Sequence, residues 1–261
     1  MGQRLALLPA LALAGTVLTG CAGIIPAVAG ETEPPSAAPA PDPVSPPAPQ
    51  RAASPVDAAI APAATQPEPA SPAAGDPADF ARFVGFVEAA ARRAKGGAEL
   101  SSAQLADPVA LDGKRRRCAA GEQLVAVIDL DPAGERFAAP ANPEKLPGLA
   151  LGLQVLREAG VEITWMSDVA AERSGAVRTA LEQSGLDPRG QDILSLRRDE
   201  ADTKEQRRSS LGGFACIVAI AGDERTDFDI RFKYLRKPAA GAALEGLIGD
   251  GWFLVAPLIG K

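Results

Sequence analysis

Four short stretches of this 261-residue chain carry side chains of a connected kind. Asp129-Leu130-Asp131 closes the apolar run that begins at Leu124, and Ser167-Asp168 follows the run Val161 to Met166. Lys204 lies near the start of a polar stretch, and Gly222-Asp223, with Asp227 in the same loop, follows Phe214 to Ala221. Two carboxylates one residue apart at the tip of a buried strand can set one on a ligand and turn the other over it. One can attack phosphorus to give an aspartyl-phosphate while the other protonates the leaving oxygen. Asp223, from a neighbouring strand, would complete an oxygen-rich site of the kind Mg²⁺ prefers. The Ser167 hydroxyl and the Lys204 ammonium are the donors that phosphoryl oxygens need as charge develops on them. Each residue also has a plain structural reading: Asp-x-Asp as turn chemistry, Ser167-Asp168 as a helix cap, Lys204-Glu205 as an exposed ion-pair face. The chemistry rests on the set.

Composition removes competing chemistries. The chain has no His, which excludes a Ser-His-Asp triad, a Cys-His pair and any His-built metal site. Its net charge of −6 cannot supply the dense cationic surface that a nucleic-acid polymer requires, whereas small phosphate esters remain suitable ligands.

The elements that must position these residues alternate between strand and helix. Strand signals cover Leu124 to Leu130, Val161 to Met166, Asp192 to Leu196, Phe214 to Ala221 and Trp252 to Ala256. Helical patterns fall between them at Leu146 to Glu158, Ala170 to Ser184 and Thr203 to Leu211, with Gly160 and Gly185 as stops. Such alternation implies an α/β domain over 118–261, a three-layer, Rossmann-like parallel sheet whose site gathers at the carboxyl ends of its strands. Before it, residues 78–117 read as an amphipathic helix and a loop. Phe80, Phe83, Val84, Val87 and Ala91 recur at helical spacing behind Asp79 as N-cap, their face packs on the domain, and Lys114 to Arg117 form a solvated basic run.

The first 21 residues carry Arg4, an apolar run from Leu5 to Val17, and Leu18-Thr19-Gly20-Cys21. The run is too short for a good membrane span and has the layout of an export signal. Its last four residues resemble the lipobox of bacterial lipoproteins, in which the Cys thiol is acylated. An ordinary signal with a chance Cys is the alternative. Residues 22–77, dominated by Pro, Ala, Ser and Glu, read as a disordered tether. The expectation is a domain attached to the membrane through Cys21, in the cell envelope of a Gram-negative-type bacterium, on the periplasmic side of the outer membrane.

In order and spacing, Val125-Ala126-Val127-Ile128-Asp129-Leu130-Asp131, Leu146-Pro147-Gly148, Ile163-Thr164-Trp165-Met166-Ser167-Asp168, Lys204-Glu205-Gln206-Arg207-Arg208 and Gly222-Asp223-Glu224-Arg225-Thr226-Asp227-Phe228 resemble the haloacid dehalogenase-like superfamily. Within it they resemble the exported acid phosphatases that include lipoprotein 5′-nucleotidases. The resemblance implies a membrane-anchored, Mg²⁺-dependent phosphomonoesterase acting on small phosphate esters, nucleotides among them. It makes Asp129 the nucleophile and a metal ligand, Asp131 the general acid/base and a ligand through its carbonyl, and Asp223 the third protein ligand. Ser167 and Lys204 hold the phosphoryl group, the amides of residues 130 and 131 face it, and Asp227 supports the metal shell or Lys204. The superfamily's strand order would also set Cys118 and Cys216 on neighbouring strands, where a disulfide or a buried free thiol can result. Two departures stand out. Pro132-Ala133 replaces an acidic residue and a Thr that usually supports the general acid, and only Pro132 to Leu146 separates the first motif from the next helix, leaving a minimal cap or none. These departures motivate the rival reading, a catalytically decayed relative serving as a binding or structural lipoprotein of the envelope.

Overall fold

The computed structural model describes residues 77–259; the expected export signal, Cys21 and the expected tether up to residue 76 lie outside the described residues. Helix α1 spans Pro77–Lys95 and is followed by two short antiparallel strands, β1 (Ser101–Leu105) and β2 (Arg115–Arg117). Then come β3 (Leu124–Asp129), α2 (Pro147–Glu158), β4 (Glu162–Ala170), α3 (Ser174–Ser184), β5 (Ile193–Arg197), α4 (Lys204–Leu211) and β6 (Cys216–Gly222). Short 3₁₀ turns and the one-turn helix α5 (Ala242–Glu245) lead to β7 (Trp252–Leu254).

The five later strands form one parallel sheet in the order β5-β4-β3-β6-β7. Strand β3 is therefore central, with both Asp129 and the loop after β6 on its carboxyl side. Because side chains alternate across a strand, Ala126 and Ile128 join one apolar layer and Val125 and Val127 the other. The first layer is closed by Phe80, Phe83 and Val87 of α1, Leu153 and Leu156 of α2, and Val177 and Leu181 of α3. The second is closed by Ala103 of β1, Leu211 of α4, Leu244 of α5, and Phe228, which stacks on Trp252. This is the expected three-layer α/β architecture. Residues 130–146, between β3 and α2, contain no helix or strand, so this segment places no folded cap over the sheet's carboxyl edge.

Glycines in the left-handed region close α2 and α3. Gly160 (φ 84°) turns the chain out of α2, with the Gly160 and Val161 amides returning to Arg157 and Leu156 carbonyls at 2.9 and 3.0 Å. Two expectations are corrected. Helix α1 begins at Pro77, so Asp79 sits in its first turn, paired with Arg82, and is not the cap. Residues 101–117 are not only loop: Arg115 bonds the Asp250 carbonyl at 2.8 Å and Arg116 binds Glu122 and the Ala215 carbonyl, so the basic run is a sheet edge with committed partners. Charge alone concealed it, because β1 has neither a β-branched nor an aromatic residue.

Cys118 and Cys216 form a disulfide, with Cα atoms 5.5 Å apart. It joins the segment entering β3 to the first residue of β6, at the end of the sheet opposite Asp129.

Candidate functional site: three carboxylates around one ammonium

Helix α4 brings the cation. Thr203 caps it, accepting from the Gln206 amide at 3.2 Å, while the Gln206 side chain accepts from the Thr203 amide at 3.0 Å. Lys204 is thus the first helical residue, where a positive charge opposes the helix dipole. The carboxylates around it offset that cost. Its Nζ lies 2.8 Å from Asp129, 3.0 Å from Asp131 and 3.4 Å from Asp227, and its side chain is 16% exposed.

Strand β3 delivers the two carboxylates in different orientations. Asp129 Oδ1 accepts the Asp131 amide at 2.8 Å as well as the Lys204 ammonium. Asp131 turns the other way: Oδ1 accepts from the Ser167 hydroxyl at 2.5 Å and the Phe137 amide at 2.8 Å, and Oδ2 from the Asp168 amide at 2.7 Å. The structure therefore brings Asp129, Asp131, Ser167, Lys204 and Asp227 into one hydrogen-bonded cluster. Asp227 supports Lys204, one of the two roles open to it, and its other oxygen accepts the Glu224 amide at 3.1 Å. Asp223 stands at the edge, its Oδ2 accepting the Ala133 amide at 2.8 Å. That bond, from a backbone amide, ties the first motif's loop to the fourth's. One expectation fails: the Leu130 amide donates to the Met166 carbonyl at 2.9 Å and the Asp131 amide to Asp129, so neither faces an open seat.

Electrostatics separate the acids. Burial, with the Asp227 charge beside it, pushes the Asp129 carboxyl up against the pull of Lys204. Burial also acts on Asp131, but Lys204, the Ser167 hydroxyl and the two amides outweigh it and hold that carboxyl below its ordinary value. Burial raises Asp223 and Asp227. Lys204 is raised: burial opposes its charge, and the three carboxylates overcome that.

The donor set also suits a hard divalent cation. Asp223 Oδ1 is buried without any partner, an oxygen that a bound ion would satisfy, and Asp129 offers a second carboxylate on the central strand. Among the described residues no three acidic side chains already stand as a cage, because the Asp131 carboxylate faces Ser167 and Lys204 occupies the middle of the cluster. An ion here would rest on Asp129 and Asp223 with backbone or water oxygens.

Several working groups left no side-chain signature in the sequence. The Asp168, Phe137 and Ala133 amides are of this kind, and the segment 130–146 that supplies two of them has no periodicity. Arg207 and Arg208 were visible beside Lys204 but had no assigned role. Arg208 donates to the Asp227 carbonyl at 2.6 Å, and Arg207 to the Ser167 carbonyl at 3.0 Å.

No family model matches the chain, and no curated protein does. Among solved structures it is similar to the class C acid phosphatase from Bacillus anthracis, with a TM-score of 0.48 and 19% identity over 69% of this chain and 77% of that one. The tungstate-bound form of that enzyme gives a TM-score of 0.46 and 18% identity over the same shares.

Proposed function

We propose that this chain is a phosphomonoesterase that hydrolyses small phosphate esters through an aspartyl-phosphate on Asp129. The observation that carries this reading is the contact of Lys204 with both oxygens of Asp129, at the carboxyl end of the central strand and beside the Ser167 hydroxyl. The Ser167 hydroxyl, the Asp168 amide and the Lys204 ammonium are three donors converging where phosphoryl oxygens would lie. Asp129 attacks phosphorus, its new O–P bond forming as the ester P–O bond breaks, and Asp131 gives its proton to the leaving oxygen. Asp131 then takes a proton from water as the water oxygen attacks phosphorus, which frees Asp129 and inorganic phosphate.

Asp131 must change place during this cycle. At rest it accepts from the same donors that the phosphoryl group needs. When substrate takes those donors, Asp131 loses the contacts that lower its pKa and stands beside an anion, so it gains a proton as it turns to the leaving oxygen. Mg²⁺ on Asp129 and Asp223 would supply charge neutralisation for the phosphoryl oxygens. Attachment through Cys21 would set this chemistry in the cell envelope, where phosphate esters that cannot be imported intact are the natural substrates, nucleotides being the class to test first.

The test is turnover of para-nitrophenyl phosphate by the full chain with Mg²⁺, repeated with chelator and with Asp129→Asn. Absence of turnover with every divalent metal tried would end the enzyme reading. A second reading, a binding protein descended from such an enzyme, has one observation in its favour: Asp131 fills the phosphoryl seat itself. Under that reading inorganic phosphate binds and no ester is cleaved.

A further inference from the structure

The Ser167–Asp168 peptide unit is exposed to two opposed contacts. On one side its N–H, belonging to Asp168, donates to Asp131 at 2.7 Å inside the site. On the other its C=O, belonging to Ser167, accepts from an Arg207 guanidinium nitrogen at 3.0 Å. The same nitrogen lies 2.8 Å from the Asp168 carboxylate, and the second terminal nitrogen donates to the Asp202 carbonyl at 2.9 Å. The guanidinium is 5% exposed, so its charge acts through little solvent.

A trans peptide is planar, with its C=O and N–H pointing in opposite directions. A clamp on the oxygen therefore fixes where the hydrogen points. The clamp is needed because regular pairing ends here: the ladder between β3 and β4 stops at Asp129–Met166 and the register with β5 slips between Ser167 and Ala170, so no strand partner aims the Asp168 amide. A buried cation at the carbonyl also polarises the amide and strengthens its N–H as a donor. Lys204 and Arg207 are three residues apart on α4 and share a face, so one helix supplies the ammonium of the site and the guanidinium behind it.

We infer that Arg207 is a positioning residue for phosphoryl binding: it aims and polarises the Ser167–Asp168 peptide so that the Asp168 N–H serves as an oxyanion donor. This rests on the phosphatase reading for the identity of the oxyanion, but the state of the peptide can be read without it.

The experiment uses the full chain, its Arg207→Lys and Arg207→Met forms, and inorganic phosphate as probe. Lysine keeps the charge but cannot reach three acceptors at once, and it is the conservative form should the methionine variant fail to fold. In the ligand-free protein the Asp168 amide proton should move to lower frequency and exchange faster in Arg207→Lys than in the wild type, with neighbouring β4 amides unchanged. With Mg²⁺ present, inhibition by phosphate should weaken about ten-fold and KM for para-nitrophenyl phosphate should rise in step, as for loss of one charge-assisted hydrogen bond. An unmoved Asp168 amide in a folded variant overturns the inference, as does a uniform loss of protection across β4, which marks a merely structural arginine. If the wild type turns over no ester, the phosphatase reading fails, and the amide resonance still decides the role of Arg207.

Discussion

The Nζ of Lys204 lies 2.9 Å from one oxygen of Asp129 and 2.8 Å from the other. One ammonium so placed balances the proposed nucleophile, and it is the sole cation in contact with the carboxylates of Asp129, Asp131 and Asp227 among the described residues. Lys204→Met should abolish turnover to below about one part in a thousand, since the developing phosphoryl charge loses its closest counter-ion. It should also destabilise the fold by about 3–5 kcal/mol at neutral pH, as expected when one partner of a buried ionic cluster is removed. A thermal melt and a turnover assay on the same preparation check both.

The opposite sign is expected at Asp129. Its carboxyl is raised by burial and by Asp227, so between the ordinary carboxylate value and its own the folded state binds more protons than the unfolded one. Stability must then fall as pH rises through that window. Asp129→Asn removes a carboxyl that the fold has to keep protonated while the unfolded chain releases the proton, so with chelator present it should raise the melting temperature at neutral pH and flatten the decline between about pH 4 and 8. Calorimetry across that range measures it; a variant less stable than the wild type at pH 7 would contradict the electrostatic account.

The disulfide closes a sequence separation of 98 residues, and chain-entropy reasoning assigns a loop of that size about 4–5 kcal/mol of stabilisation. Cys216 is fully buried at the start of β6, so Cys118→Ala with Cys216→Ala is the cleaner variant than reduction. The double variant should melt several degrees lower while keeping KM near wild type, because the bond lies at the end of the sheet away from Asp129. A large rise in KM would show that β3 and β6 are not rigid enough to insulate the site.

Much of this was legible because strands and motifs coincide. Val125 to Asp129 reads as a buried strand from its own residues, and any acid at its end must fall at the carboxyl edge of a parallel sheet. The Cys118–Cys216 pair was legible only conditionally, since it needed β3 and β6 to be adjacent, a property of sheet order and not of either strand. What stayed hidden belongs to backbone donors and irregular chain. Phe137 donates its amide to Asp131 from a segment with no period, a backbone donor that no side-chain pattern announces. The hairpin of β1 and β2 was missed because three consecutive arginines look solvated until Asp250, Glu122 and Ala215 are seen beside them.

Asp223 offers a direct test of metal binding. Its buried Oδ1 has no partner, and its Oδ2 holds the Ala133 amide. Saturating Mg²⁺, at about 100 times its dissociation constant, should stabilise the protein by about 2.7 kcal/mol. Asp223→Asn keeps the shape and can keep the bond from Ala133, but it offers a neutral ligand, so the Mg²⁺-dependent shift in melting temperature should shrink or vanish while the metal-free melt stays close to wild type. An undiminished shift would move the ion elsewhere.

Gly222 is the last residue of β6 and is set by what it must not carry. A Cβ built there would fall 2.5 Å from Asp227 Oδ2 and 2.6 Å from Asp227 Cβ, distances at which something has to move. Asp227 cannot move freely, since one oxygen accepts the Glu224 amide, the other contacts Lys204, and its carbonyl is held by Arg208. Gly222→Ala therefore has to push the 3₁₀ turn at Arg225–Asp227 outward, at a cost of about 1–3 kcal/mol typical of overpacking. The displaced carboxylate leaves Lys204 with Asp129 and Asp131 only, so the ammonium should shift toward them and kcat should fall more than KM rises. Restoring room with the double variant Gly222→Ala, Asp227→Gly, which removes all three atoms nearest the new Cβ, should recover stability without recovering kcat, because the clash is gone but so is the third contact to Lys204. Recovery of both would mean that Asp227 fills space beside Gly222 and takes no part in holding Lys204.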